Sequence, residues 1–125
     1  EEINQFEREL VHNGTTIVKV AMFVSLDEQK RRLAERLERR DKFWKYNPGD
    51  VTERKLWPQY QEAYQAMLDK TSTEHAPWYV VPCDRKWYSR IAVTELLIDA
   101  LRRLDLDWPP AEFDIEVEKE RLALS

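Results

Sequence analysis

The chain has 125 residues, 42% of them hydrophobic, 11% aromatic and 35% charged, with a net charge of −4. That length supports one domain with a modest core. The aromatic content excludes a wholly disordered chain, and no apolar run reaches the ~18 residues a membrane span needs.

In chain order, residues 1–13 carry Ile3, Phe6 and Leu10 at helical spacing, and Gly14 stands where a left-handed cap belongs. No capping residue precedes this pattern, so the chain is expected to start inside a larger domain. Its acidic, amphipathic start is unlike a secretory leader. Residues 15–24 form a nearly continuous β-branched and apolar run, the pattern of a parallel strand covered on both faces. Lys19 interrupts it and is expected near a strand end or crevice. Ser25 and Glu28 form a capping box that opens a basic helix to about Arg40, with Leu26, Leu33 and Leu37 as its buried stripe. Gln29, Arg32, Arg36 and Arg39 or Arg40 recur on a neighbouring face.

Residues 41–49 read as a loop with a turn at Asn47, Pro48 and Gly49. Asp50 and Glu53 make a second capping box. Pro58 kinks or restarts the helix that follows, which runs to about Lys70 with Tyr60, Tyr64 and Met67 or Leu68 facing inward. A polar loop leads to a short strand over residues 78–81, ended by Pro82. Asp84 is placed to cap a helix to about Leu104 whose inner face uses Ile91, Val93 or Thr94, Leu97, Leu101 and Leu104. Trp57, Trp78 and Trp87 read as core. Residues 111–125 form an acidic tail, with one further helix near 116–124. Two strands separated by helices define an α/β protein with a piece of a parallel sheet. Two strands alone make a poor sheet, which again points to a larger unit or a second copy.

The charge is uneven. Residues 30–55 carry ten Lys/Arg against five Asp/Glu, while the rest of the chain is strongly acidic. Arg32, Arg36, Lys42 and Lys45 place fixed cations on one helix and the loop after it. Such cations can neutralise a phosphoryl group in transfer or track a polyanion. The same residues also fit a solvated helix with intrahelical ion pairs. Asp84, Lys86 and Arg90 fall at the expected carboxyl edge of the sheet, where ligands of open parallel sheets sit. They fit equally a helix cap and two solvent-facing bases. The acidic pI near 5.3 argues against a nucleic-acid partner despite five tryptophans. His12 and His75 have no metal-ligand or catalytic spacing. The lone Cys83 excludes an internal disulfide, is expected to be a small buried residue, and suits a reducing cytoplasm. The two glycines, Gly14 and Gly49, do not sit in a Walker context.

Several stretches together resemble a known family. Phe6-Glu7 through Lys19, SLDEQKRRL at residues 25–33, Lys42 to Lys45 with Asp50, Glu53, Arg54 and Trp57, and TSTEHAPWYVVPCDRKWYSR at residues 71–90 are similar to the C-terminal half of the polyphosphate kinase 2 catalytic domain. The resemblance covers residues 1–110. It implies a partial P-loop kinase-like parallel sheet with flanking helices and a helical lid over about 26–70. It also implies transfer of phosphate between inorganic polyphosphate and a nucleoside mono- or diphosphate with magnesium, in a cytoplasmic homo-oligomer. By similarity, Arg32 is the catalytic candidate, and Arg36, Lys42, Lys45, Lys86 and Arg90 the substrate-binding ones. The Walker residues and expected metal-binding acids lie outside these 125 residues, so no metal ligand is assigned and the fragment alone is expected to be inactive. Two competing expectations remain: an ATP-dependent nucleoside monophosphate kinase relative, and a non-catalytic polyanion-binding module.

Overall fold

The computed structural model describes all 125 residues. Helix α1 (Glu2–His12) ends as its sequence requires. Gly14 adopts a φ of 85°, its N–H bonds the Val11 carbonyl, and the Thr15 N–H bonds Leu10, which together close a Schellman motif. Strand β1 (Lys19–Phe23) begins four residues later than the apolar run. Residues 15–18 have no partner strand to ladder with, so only the segment opposite β2 (Trp78–Pro82) is strand. The two pair in parallel, from Lys19 opposite Trp78 to Phe23 opposite Pro82.

The connection between them is helical. Ser25 caps α2 (Leu26–Glu38), its hydroxyl accepting the Glu28 N–H at 3.2 Å. Glu28 does not reach back as a capping box expects, because its carboxylate is taken by Arg31 and Arg32. Asp84 supplies the missing half by accepting the Ser25 N–H at 2.7 Å. For the same reason Asp84 does not cap α5 (Lys86–Arg103), which starts from Arg85 without a side-chain cap. A 3₁₀ turn (Arg40–Lys45) and a short α3 (Pro48–Glu53) replace most of the expected loop. Asn47, not Asp50, caps α3, because Pro48 presets the first helical φ and moves the start forward. After a second 3₁₀ turn, α4 (Trp57–Thr71) restarts with Pro58 in its first turn. Asp114 caps the last helix, α6 (Ile115–Ala123), through the Glu116 and Val117 N–H groups.

The buried apolar core is small: Ala21, Leu33, Ala76, Val81 and Cys83. At roughly 25 cal/mol per Å², burying Leu33 contributes about 2 kcal/mol. The expected inner face of α5 holds only at Val93. Ile91, Leu97, Leu101 and Leu104 are exposed, whereas Ser89 is buried and Ala92, Val93, Leu96 and Ala100 are half-buried. The small side chains at 89, 92 and 100 let the helix lie close to β2, and that decides its rotation. Trp57 and Trp78 are half-buried, but Trp87 is 59% exposed beside Tyr88 and is not core.

Candidate functional site: a cationic cleft at the strand ends

Both strands point their carboxyl ends the same way, so Val24–Ser25 and Cys83–Asp84 emerge side by side, joined by the Cys83 N–H to Phe23 carbonyl bond at 2.7 Å. There α2 begins, and between it and α4 lies a cleft of about 490 Å³. One wall comes from α2: Gln29, Arg32 and Arg36, with Leu33 behind them, at the i, i+3, i+4 and i+7 positions of one helix face. The other comes from Asp50, Glu53, Arg54, Trp57, Tyr60 and Tyr64, one stripe through α3, the 3₁₀ turn and α4.

Arg32 is the most firmly placed cation. Its Nε bonds Glu28 at 2.7 Å, and its Nη2 donates to the Cys83 carbonyl and, at 3.3 Å, to that of Asp84. It therefore stands at the carboxyl edge of the sheet, 24% exposed. The guanidinium hydrogen bonds from Arg31, then Arg32, push the Glu28 carboxyl down to about 2. Arg36 donates to the Lys45 carbonyl at 3.1 Å and lies 3.4 Å from Asp50. Arg54 bonds the Leu26 carbonyl at 3.1 Å and Gln29 at 2.5 Å, tying the second wall to the first. The far wall is aromatic. Tyr60 and Tyr64 stack with ring centres 6.2 Å apart, and Tyr64 meets Phe23 edge-on at 5.4 Å. The Tyr60 hydroxyl donates to Glu53 at 2.5 Å, and that carboxylate raises its pKa.

The other nominated residues lie elsewhere. Lys42 pairs with Glu35, and neither lines the cleft. Its hydrogen bond is the chief cause of the lowered Glu35 pKa, with Lys86 and Arg39 adding through space. Lys45 lies 4.7 Å from the ring of its neighbour Trp44, which is 78% exposed. Arg90 is exposed on α5. Thus the structure brings Arg32 and Arg36 together and adds Arg54, which the sequence reading left among family-like residues without a role. The signal was present: 50, 53–54, 57, 60 and 64 recur at helical spacing.

No three His, Cys, Asp or Glu side chains converge on a metal-sized site. The donor set present does not fit an all-protein magnesium site, since the cleft carboxylates Asp50 and Glu53 are engaged by Arg36 and Tyr60. Neither glycine cradles an anion. Gly14 ends α1, and Gly49 lies in the first turn of α3, its N–H bonded to Asn47.

A parallel strand pair with flanking helices, its strand ends opening onto an arginine-lined cleft, defines an α/β protein with a cationic site at the carboxyl edge of its sheet. The chain belongs to the polyphosphate kinase 2 family, whose model matches residues 1–107. It is 46% identical to an AMP/ADP-polyphosphate phosphotransferase of Meiothermus ruber over 88% of its own length and 41% of that protein's. It is 41% identical to an uncharacterised protein of the chlN 3′ region of Leptolyngbya boryana, over 86% of this chain and 79% of that one. The crystal structure of polyphosphate kinase 2 from Arthrobacter aurescens TC1 superposes with a TM-score of 0.95 at 53% identity, covering 99% of this chain and 44% of that one. The chain thus spans less than half the length of the Meiothermus and Arthrobacter proteins.

Proposed function

We propose that the protein carrying this chain transfers phosphate between inorganic polyphosphate and a nucleoside mono- or diphosphate. Residues 1–110 supply the C-terminal half of a P-loop phosphotransferase domain, with 26–70 as its lid and 111–125 as a tail. The observation that carries the reading is the convergence of Arg32, Arg36 and Arg54 on one cleft at the carboxyl ends of the strands. Phosphoryl transfer needs little covalent help from protein; it needs positioned cations around spreading charge. Arg32 meets that need, pre-set by Glu28 and two carbonyls, and its planar fork suits phosphate oxygens. Arg36 grips the same substrate end. Lys42, Lys45, Lys86 and Arg90, outside the cleft, hold the remainder of a long polyanion. The Tyr60–Tyr64 stack excludes water from the opposite wall.

The phosphate loop comes from outside these 125 residues, as does most of the magnesium coordination. Magnesium would supply further charge neutralisation there. The name of the Meiothermus relative supports AMP and ADP as acceptors, and homo-oligomers in the cytoplasm complete the reading. No helix is long and apolar enough to cross a membrane.

The test is an assay of the whole protein with polyphosphate or ATP as donor, magnesium, and AMP, ADP or GDP as acceptor. Nucleotide phosphorylation that depends on polyphosphate is expected. Transfer from ATP with polyphosphate ignored would replace the reading with a nucleoside monophosphate kinase. Salt-sensitive polyphosphate binding with no transfer in any pairing would leave a binding module.

A further inference from the structure

Lys19 opens β1, yet its side chain is only 8% exposed, and the cleft at the strand ends makes no use of it. Its ammonium donates to Glu7 on α1 at 2.7 Å and to the Thr71 carbonyl, the last residue of α4, at 2.5 Å. It also lies 5.2 Å from the ring centre of Trp78 on β2. One buried cation thus joins α1, β1, β2 and the end of the helix that returns from the proposed lid.

That helix end is built unlike the end of α1. There Gly14 turns the backbone and satisfies the last carbonyls locally. After α4 comes Ser72, at φ −84° and with no glycine, so the last turn takes donors from other elements. Asn4 of α1 bonds the Lys70 carbonyl at 2.8 Å, and Lys19 bonds that of Thr71. Trp78 holds the same turn twice, through its indole N–H to the Thr71 hydroxyl at 2.8 Å and its backbone N–H to the Ser72 hydroxyl at 3.1 Å. A cation at a helix C-terminus is electrostatically favourable. A buried ion pair, however, is a poor source of net stability, and its best-attested use is to fix one arrangement among several.

We propose that Lys19 is a positioning residue: with Glu7 and Trp78 it fixes the direction in which α4 leaves the sheet, and so the width of the cleft between Arg32 and the Tyr60–Tyr64 wall. The inference rests on the phosphotransferase reading for its kinetic consequence, though not for its structural one. A tilt of about 5° at Thr71 displaces Tyr60, eleven residues away at 1.5 Å each, by roughly 1.4 Å. A lid that samples several tilts is competent for only a fraction of the time, which weakens apparent substrate affinity by that fraction.

The test uses the whole protein with Lys19→Met, Lys19→Arg and the double variant Lys19→Met/Glu7→Leu. The double variant leaves no unpaired buried charge and keeps the question answerable should the single change prevent folding. In folded Lys19→Met or the double variant, KM for polyphosphate rises about tenfold while kcat changes less than about twofold, and Lys19→Arg restores most of the loss. Amide hydrogen exchange at Ser72 and the last turn of α4 accelerates in the same variants. A folded double variant with parental KM and exchange overturns the proposal, as does a fall in kcat at unchanged KM. The exchange measurement needs no turnover. Should the parent protein prove inactive, faster exchange still supports the anchor and unchanged exchange still overturns it.

Discussion

The two sides of α2 carry similar residues to opposite ends. On the cleft side, Arg32 and Arg36 are one turn apart, and each has one carboxylate partner besides backbone carbonyls: Arg32 has Glu28 with the Cys83 and Asp84 carbonyls, and Arg36 has Asp50 with the Lys45 carbonyl. On the outer side, Arg31 pairs with Glu28 and Glu35, Arg39 with Glu35 and Asp41, and Lys42 with Glu35. The outer cations share Glu28, Glu35 and Asp41 in one carboxylate lattice, while each inner one has a single carboxylate and is also held by backbone carbonyls at the cleft. One basic helix thus carries a solvated, ion-paired face and a cleft-lining one, and the partners of each residue separate the two.

The largest test of that contrast is Arg32→Ala. In the phosphotransferase assay it lowers kcat by about 10²-fold, the cost of removing one preorganised charge donor from a developing anion. Arg32→Lys recovers little, because a single ammonium cannot span Glu28 and the Cys83 carbonyl while facing a phosphate. Parental kcat in Arg32→Ala would show that the inner side of α2 is no different from the outer.

Next in size is Arg54→Gln. Arg54 bridges the walls through Gln29 and the Leu26 carbonyl, so its loss loosens the second wall from α2, leaving the Arg36–Asp50 pair, as well as removing a cation. KM for polyphosphate rises about tenfold, with a smaller change in kcat, as expected when binding is lost alike in ground and transition states. A KM within twofold of the parent would remove Arg54 from the site.

How legible the fold was depended on whether a signal was local. The α1 end was, because Gly14 supplies the left-handed φ that a Schellman turn needs. The strands were legible in identity, but the start of β1 was not, since a strand ends where its neighbour does and the register against Trp78 lies in no single segment. The capping boxes fared differently: Ser25 caps α2 as expected while Arg31 and Arg32 outcompete its N–H for Glu28, and the second box fails because Asn47 and Pro48 start α3 before Asp50. The face of α5 was misjudged because size was weighed as hydrophobicity. Ser89, Ala92 and Ala100 admit the sheet, whereas Leu97 and Leu101 do not. At the site, Arg32 and Arg36 were legible from spacing on one helix. Arg54 and the tyrosine wall depend on how α3 and α4 join, which a proline and a 3₁₀ turn concealed.

Glu28 belongs to both sides of α2, and pH separates its contributions. Its folded-state pKa of about 2 lies below the model-compound value of 4.5, so the stability it adds is fully present above about pH 4.5 and is lost as pH falls toward 2. Urea unfolding midpoints between pH 2 and 6 should therefore drop more steeply in the parent than in Glu28→Gln, the two converging at the acid end. Because Glu28 also sets the Nε of Arg32, Glu28→Gln should lower kcat near neutral pH, by less than Arg32→Ala does. Equal acid slopes would mean that the arginines hold Glu28 no more tightly in the folded protein than in the unfolded chain.

The smallest effect belongs to Lys42→Ala. Its ammonium is committed to Glu35, in a cluster that Arg39 and Lys86 also serve, so its removal leaves the Glu35 carboxylate with cations still nearby. With polyphosphate of a few units, long enough only to fill the cleft, KM and kcat stay within about threefold of the parent, because the half-buried Lys42–Glu35 pair lies outside the cleft. With chains of a hundred units or more the variant loses affinity further, because a long polyanion leaving the cleft past α2 competes with Glu35 for Lys42. A loss independent of chain length would place Lys42 in the cleft, through a closing of the lid that moves it across α2. Equal affinity for every length would confine the working charge of this helix to its inner face.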